Sequence, residues 1–211
     1  PVERFHQLLP PEITFLIDDA HGFGCHGPSG RGVSALCPPY QRQILTTASL
    51  SKALGCHGGV ILGDEKILDS VSRQGHIWRA HTPLPPSIAY SAWRNLLWLK
   101  DHPDHLASLE KLTASFNAIW TSSQQSFLEF PIVALSTPSQ KALEEVKQYL
   151  TEAGIYPPHI HYPHGAPHGL FRFSWSTAHT LEDVDLLANT LSDLVSNGLA
   201  DHFKLSCDPV S

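Results

Sequence analysis

Short apolar runs closed by acidic, glycine or proline residues alternate with amphipathic stretches along this chain. "ITFLI" at 13–17 runs into Asp18-Asp19-Ala20-His21-Gly22, a pattern that predicts a buried strand of the parallel type with polar groups at its carboxyl end. Residues 44–47 and 59–62 predict two further strands, on either side of a glycine-rich loop. Residues 3–9 read as the tail of an amphipathic helix stopped by Pro10-Pro11, and residues 65–74 as a second helix. Pro85-Pro86 opens a helix to about Leu99, His102-Pro103 breaks it, and another helix is expected over about 104–127. Beyond that point the pattern changes. "FPIVALS" predicts a strand, 139–153 a helix, 155–162 and 170–175 strands, and 181–199 a closing helix. Thr180 is the expected N-cap of that last helix, with Glu182 and Asp183 in its first turn.

These elements predict an α/β chain: part of an α/β unit with a mostly parallel sheet over 1–100, then a connecting helix over 101–128. A small α+β domain over 129–200 follows, and a tail over 201–211 is expected to fray. The chain shows no internal repeat and no low-complexity segment.

Composition narrows the classes. The 211 residues are 42% hydrophobic and 16% charged, which supports a real core and argues against disorder. A net charge of −6 without any basic run argues against a nucleic-acid surface. No apolar stretch approaches the roughly 20 residues that span a bilayer, and no secretory pattern opens the chain. Cys25, Cys37, Cys56 and Cys207 lack paired spacing, so reduced thiols and a cytoplasmic location are expected. Methionine is absent even at position 1; this reads either as a piece of a longer protein or as a sequence from which methionines were dropped.

Chemistry concentrates at two places. In "TASLSKALGCHGG", Lys52 stands between the hydroxyls of Thr47, Ser49 and Ser51 and the glycines 55, 58 and 59. A lysine amine so placed suits attack on a carbonyl, with anion-binding hydroxyls beside it; the competing reading is a solvated lysine in a flexible loop. Asp18 and His21 follow the first strand, where a carboxylate suits a protonated ring nitrogen and an imidazole a ring oxygen or general acid. The competing reading there is a strand cap beside a surface histidine. Lysine, aspartate and histidine on loops after strands are together what pyridoxal phosphate requires. Serine hydrolase chemistry is not supported, because no G-x-S-x-G elbow occurs.

"DDAHGFGCHGPSGRG", "TASLSKALGCHGG", "TPLPPS" and "GLFRFSWSTAH", in that order, closely resemble the α-oxoamine synthase family of fold type I pyridoxal phosphate enzymes. The resemblance implies that Lys52 is the Schiff-base lysine, Asp18 the pyridinium partner and His21 the contact to the ring oxygen. It further implies that Ser49, where the family usually has threonine, and Thr82, reaching across a dimer interface, bind the phosphate. Arg172 matches the arginine that grips the substrate carboxylate, and a guanidinium fork in an otherwise apolar strand makes chemical sense of it. The implied reaction condenses a small amino acid with an acyl-CoA, usually with decarboxylation, to an α-amino ketone in a homodimer. An aminotransferase or a non-catalytic piece are the alternatives. The family's remaining phosphate loop and ring-stacking residue belong to a segment upstream of what is present here.

Histidines 159, 161, 164 and 168 cluster in "HIHYPHGAPH", and Cys25-His26 with Cys56-His57 form a second conceivable set. Neither has the ligand complement of a zinc site, and no metal is expected.

Overall fold

The computed structural model describes residues 2–10, 12–37, 43–78, 80, 82–124, 128–163 and 165–203. They form two compact units, Pro1–Leu106 and Ala107–Ser211.

In the first unit, α1 (Val2–Leu8) precedes β1 (Phe15–Asp18), β2 (Ile44–Ser49) and β3 (Gly59–Leu62), and the sheet order is β1-β2-β3. β1 and β2 are parallel, with Asp18 opposite Thr47, whereas β2 and β3 are antiparallel, with Ser49 opposite Gly59. This part of the sheet is therefore mixed where a mostly parallel one was expected. Residues 50–58 are too few for the dozen or so that a parallel crossover needs, so β3 must return antiparallel. β1 also departs from the expected fully buried strand: Phe15 and Ile17 are inside, while Leu16 is 71% exposed. Alternation along the pleat separates the two faces.

Helix α2 (Glu65–Gln74) begins where Asp64 accepts the Lys66 amide, and α3 (Pro86–Asp101) has proline in its first turn. α3 buries Ala92 beside Leu50 and Leu54 of the loop between β2 and β3, the small core of this unit.

The second unit carries most of α4 (Pro103–Gln124), then β4 (Ile132–Ser136), α5 (Gln140–Glu152), β5 (His159–Ile160), β6 (Leu170–Ser174), α6 (Leu181–Ser196) and β7 (Asp201–Phe203). The sheet order is β5-β6-β4-β7, antiparallel throughout. Leu112, Phe116 and Trp120 of α4, Val146 and Leu150 of α5, and Val184, Ala188 and Leu191 of α6 share one core with Val133, Leu135, Phe171 and Phe173 of the sheet. The expected connecting helix is thus a structural wall of this unit, because its apolar stripe has a sheet face to bury against.

Three boundaries differ from expectation for local reasons. β5 is two residues long, since Pro157 and Pro158 have no N–H with which to extend the ladder. α6 stops at Ser196, where Gly198 at φ +69° lets the chain turn and Leu199 donates to the Leu194 carbonyl. The tail expected to fray from Asp201 begins instead as β7, paired with β4 through Ser136, Leu135 and Ala134. Ordered backbone bonds to β4 replace solvent there; residues 204–211 lie outside the described set. The Thr180 cap is a full capping box with Asp183, whose carboxyl is held below its ordinary range by the Thr180 amide and hydroxyl.

Candidate functional site

Because β1 and β2 are parallel, Asp18 and Ser49 end their strands at the same edge of the sheet, and the loops after them start side by side. The Asp19 amide donates to the Thr47 carbonyl at 2.8 Å, which prolongs the pairing one residue past β1.

The two adjacent aspartates then diverge. Asp18 is exposed and its Oδ1 accepts the Ala20 amide at 3.1 Å. Asp19 is 3% exposed and its Oδ2 accepts the Val33 amide at 2.9 Å. Its carboxyl is raised above the ordinary range by burial, partly offset by the Val33 bond and by His26. A Cβ on Gly32 would overlap Asp19 Oδ2, so only glycine lets the chain pass so close. Asp19 thereby ties the two ends of the 20–33 loop together, helped by the Phe23 amide on its own carbonyl and the Phe23–Arg31 bridge. His21 lies exposed on this loop, and its carbonyl accepts the Cys25 thiol at 2.7 Å. Burial pushes that thiol up to about 11.

The second loop holds Lys52 exposed at its tip. Gly55 donates to the Lys52 carbonyl, Cys56 to the Leu50 carbonyl and Leu50 to the Gly58 carbonyl, which makes a closed turn. Leu50 and Leu54 fix it inward, and Asn95 of α3 donates to the Leu54 carbonyl at 2.8 Å. Ser49 and Ser51 share a hydroxyl–hydroxyl bond of 2.7 Å, and the Ser51 amide donates to Ser49 Oγ. Thr82 is exposed two residues before Leu84, whose methyls pack on Gly58. The strand ends thus collect Asp18, His21, Ser49 and Lys52 at one edge of the first unit, with the Thr82 segment running past the lysine loop.

Arg172 belongs to the second unit. It is half-buried in β6, on the face opposite Phe171 and Phe173, and its Nη1 donates to the Tyr162 hydroxyl at 2.8 Å.

Among the described residues no three histidine, cysteine or acidic side chains form a metal-holding group. His159 Nε2 is bonded to the His168 carbonyl at 2.8 Å and its ring meets His161 edge-on at 4.9 Å; His164 lies outside the described residues. Cys25, Cys37 and Cys56 are not joined in disulfides. No helix among the described residues is long and apolar enough to cross a membrane.

Asp19, Asn95 and Tyr162 are contributors that the sequence pattern did not single out. For Asp19 a signal existed, since neighbours on a strand face opposite ways. For Asn95 and Tyr162, partnered across 41 and 10 residues, there was none.

The chain is 30% identical over 187 residues to the 8-amino-7-oxononanoate synthase of Azoarcus sp. (strain BH72), covering 87% of this chain and 48% of that one. It is 28% identical over 196 residues to the enzyme of the same name from Aromatoleum aromaticum, covering 91% and 49%. It therefore spans about half the length of the curated relatives it matches. Among solved structures, 8-amino-7-oxononanoate synthase from Francisella tularensis superposes with a TM-score of 0.76 at 24% identity, over 93% of this chain and 58% of that one. Sphingomonas wittichii serine palmitoyltransferase superposes with a TM-score of 0.71 at 22% identity, over 88% and 48%. The fold is the one the motifs led us to expect. Residues 6–191 match the model of aminotransferase class I and II, and the chain belongs to that family.

Proposed function

We propose that this chain carries the lysine-bearing part of a pyridoxal phosphate-dependent acyltransferase that condenses a small amino acid with an acyl-CoA, usually with decarboxylation, to an α-amino ketone. The observation that carries the reading is the exposed Lys52 on a closed turn, directly beyond the strand edge where the Asp18 carboxylate emerges. The donor set fits the cofactor: one amine for an aldehyde carbon, one carboxylate for a ring nitrogen, one imidazole for a ring oxygen and a pair of hydroxyls for a phosphate. Open space beside Gly55 leaves the backbone near Lys52 approachable.

Bound there, pyridoxal phosphate supplies an electron sink for the bonds broken at the amino acid's α-carbon. Lys52 is the covalent attachment point and, once free, the base that takes the α-proton. Asp18 holds a proton on the ring nitrogen, and His21 donates to the ring oxygen. Ser49, with Ser51 beside it, and Thr82 bind phosphate oxygens. Arg172 receives the carboxylate of the amino acid through its guanidinium fork. A homodimer is the expected assembly, with Thr82 serving the partner's site, and a cytoplasmic location follows the unpaired cysteine spacing. Similarity to relatives named 8-amino-7-oxononanoate synthase supports acyl transfer over amination of a keto acid.

The test is to add pyridoxal phosphate to the full-length protein, reduce with borohydride and map the modified peptide by mass spectrometry. Pyridoxyl on Lys52 is expected; a full-length protein that takes no label sinks the reading. Release of free CoA in an amino-acid screen, rather than consumption of a keto acid, then separates acyl transfer from transamination.

A further inference from the structure

Arg172 is a half-buried guanidinium with no carboxylate in ion-pairing reach among the described residues. Directly across the ladder on β4 stands Ala134, a small side chain that offers no charge. The one side-chain bond to its guanidinium among the described residues comes from a neutral group, Tyr162, at Nη1. A hydroxyl there steadies the fork without neutralising it, and the Nε and Nη2 edge keeps its donors for an incoming anion.

The segment that presents Tyr162 is tied to β6 and to its own turn. At its base His159 Nε2 bonds the His168 carbonyl at 2.8 Å, and the His159 ring leans on Phe171 of the core at 5.3 Å. Gly169, at φ +74°, passes so close that a Cβ would stand 2.6 Å from His159 Nε2. The Arg172 amide donates to the Pro158 carbonyl, and Gly165 donates to the Tyr162 carbonyl in a tight turn. His159 therefore closes the base of the loop between β5 and β6.

We propose that Tyr162 is a specificity-determining positioning residue. Through its hydroxyl it fixes Arg172 so that the site selects substrates bearing an α-carboxylate. This rests on the reading of Arg172 as the carboxylate-binding group.

Tyr162→Phe in the full-length holoenzyme tests it, since the ring stays and only the hydroxyl goes. KM for the amino acid is expected to rise about five- to tenfold, while kcat, KM for the acyl-CoA and Tm stay within error. Spectrophotometric titration of the holoenzyme should show the same loss of affinity for the amino acid, and none for the corresponding amine that lacks the carboxylate. His159→Phe, which unties the loop, should raise the same KM, and the double variant no further. An unchanged amino-acid KM in Tyr162→Phe, beside a large rise in Arg172→Ala, overturns the role of Tyr162 and leaves Arg172 standing. If Arg172→Ala is also silent, the reading of Arg172 falls. A uniform fall in kcat and Tm in Tyr162→Phe assigns the tyrosine to scaffold alone and overturns the proposal.

Discussion

Gly24 sits against Ala53: a Cβ added to Gly24 would overlap the Ala53 Cβ, so the aspartate loop and the lysine loop touch through two small residues. Gly24 also holds φ +88°, a conformation that side chains rarely adopt. Gly24→Ala is therefore expected to cost about 2–4 kcal/mol, the sum of backbone strain and overpacking. Gly55→Ala, also at positive φ but with nothing within 4 Å, should cost only about 1–2 kcal/mol. Adding Ala53→Gly to Gly24→Ala should recover the overpacking part and leave the strain. Urea unfolding of the variants decides it; no recovery in the double variant would mean that the loops are not in contact.

The buried Asp19 makes a pH prediction. Burial raises its folded-state pKa above the ordinary aspartate value. Its contribution to stability is fully present below the unfolded value and is lost as pH rises through the folded one. Asp19→Asn keeps an oxygen for the Val33 amide but cannot ionise, so it should be stabilised relative to the parent as pH rises through that window. The comparison is of unfolding free energies at stepped pH. A parent that gains on the variant over the same range would show that the amide bonds to the carboxylate outweigh its desolvation.

Cys25 should be a slow thiol. With its pKa pushed up to about 11 by burial and the Asp19 charge, only about one thousandth of it is thiolate at pH 8. Iodoacetamide should leave Cys25 unmodified over a time that fully alkylates glutathione, and its rate should climb steadily with pH to near 11. Peptide mapping that finds Cys25 labelled at the glutathione rate would refute a thiol held protonated by its surroundings.

In the second unit, Trp175 donates its indole N–H to Thr113 Oγ1 at 3.2 Å inside the core, stacked on Phe116 at 4.7 Å. Thr113→Val keeps the shape and strands the indole donor, at a cost of about 1–3 kcal/mol. Thr113→Ser keeps the acceptor and loses one methyl, at about 1 kcal/mol. Thermal or chemical unfolding should rank valine below serine, and the reverse order would mean that the hydroxyl contributes nothing.

What the sequence determined by itself was local. Apolar runs, proline breaks and the Thr180 cap are fixed by residues within a few positions of one another, so the helix at 65–74 and the start of the closing helix at Leu181 are legible in the chain alone. The motifs around Asp18, His21, Ser49, Lys52 and Arg172 are equally visible, because each is a contiguous run. The tertiary structure alone decided what depends on distant pairing. It reversed β3, because the loop is too short for a crossover. It turned Asp201–Phe203 into a strand, because β4 had an open edge. It also split Asp18 from Asp19: alternate residues of a strand face opposite sides, and which side is inside depends on what the rest of the chain packs against it.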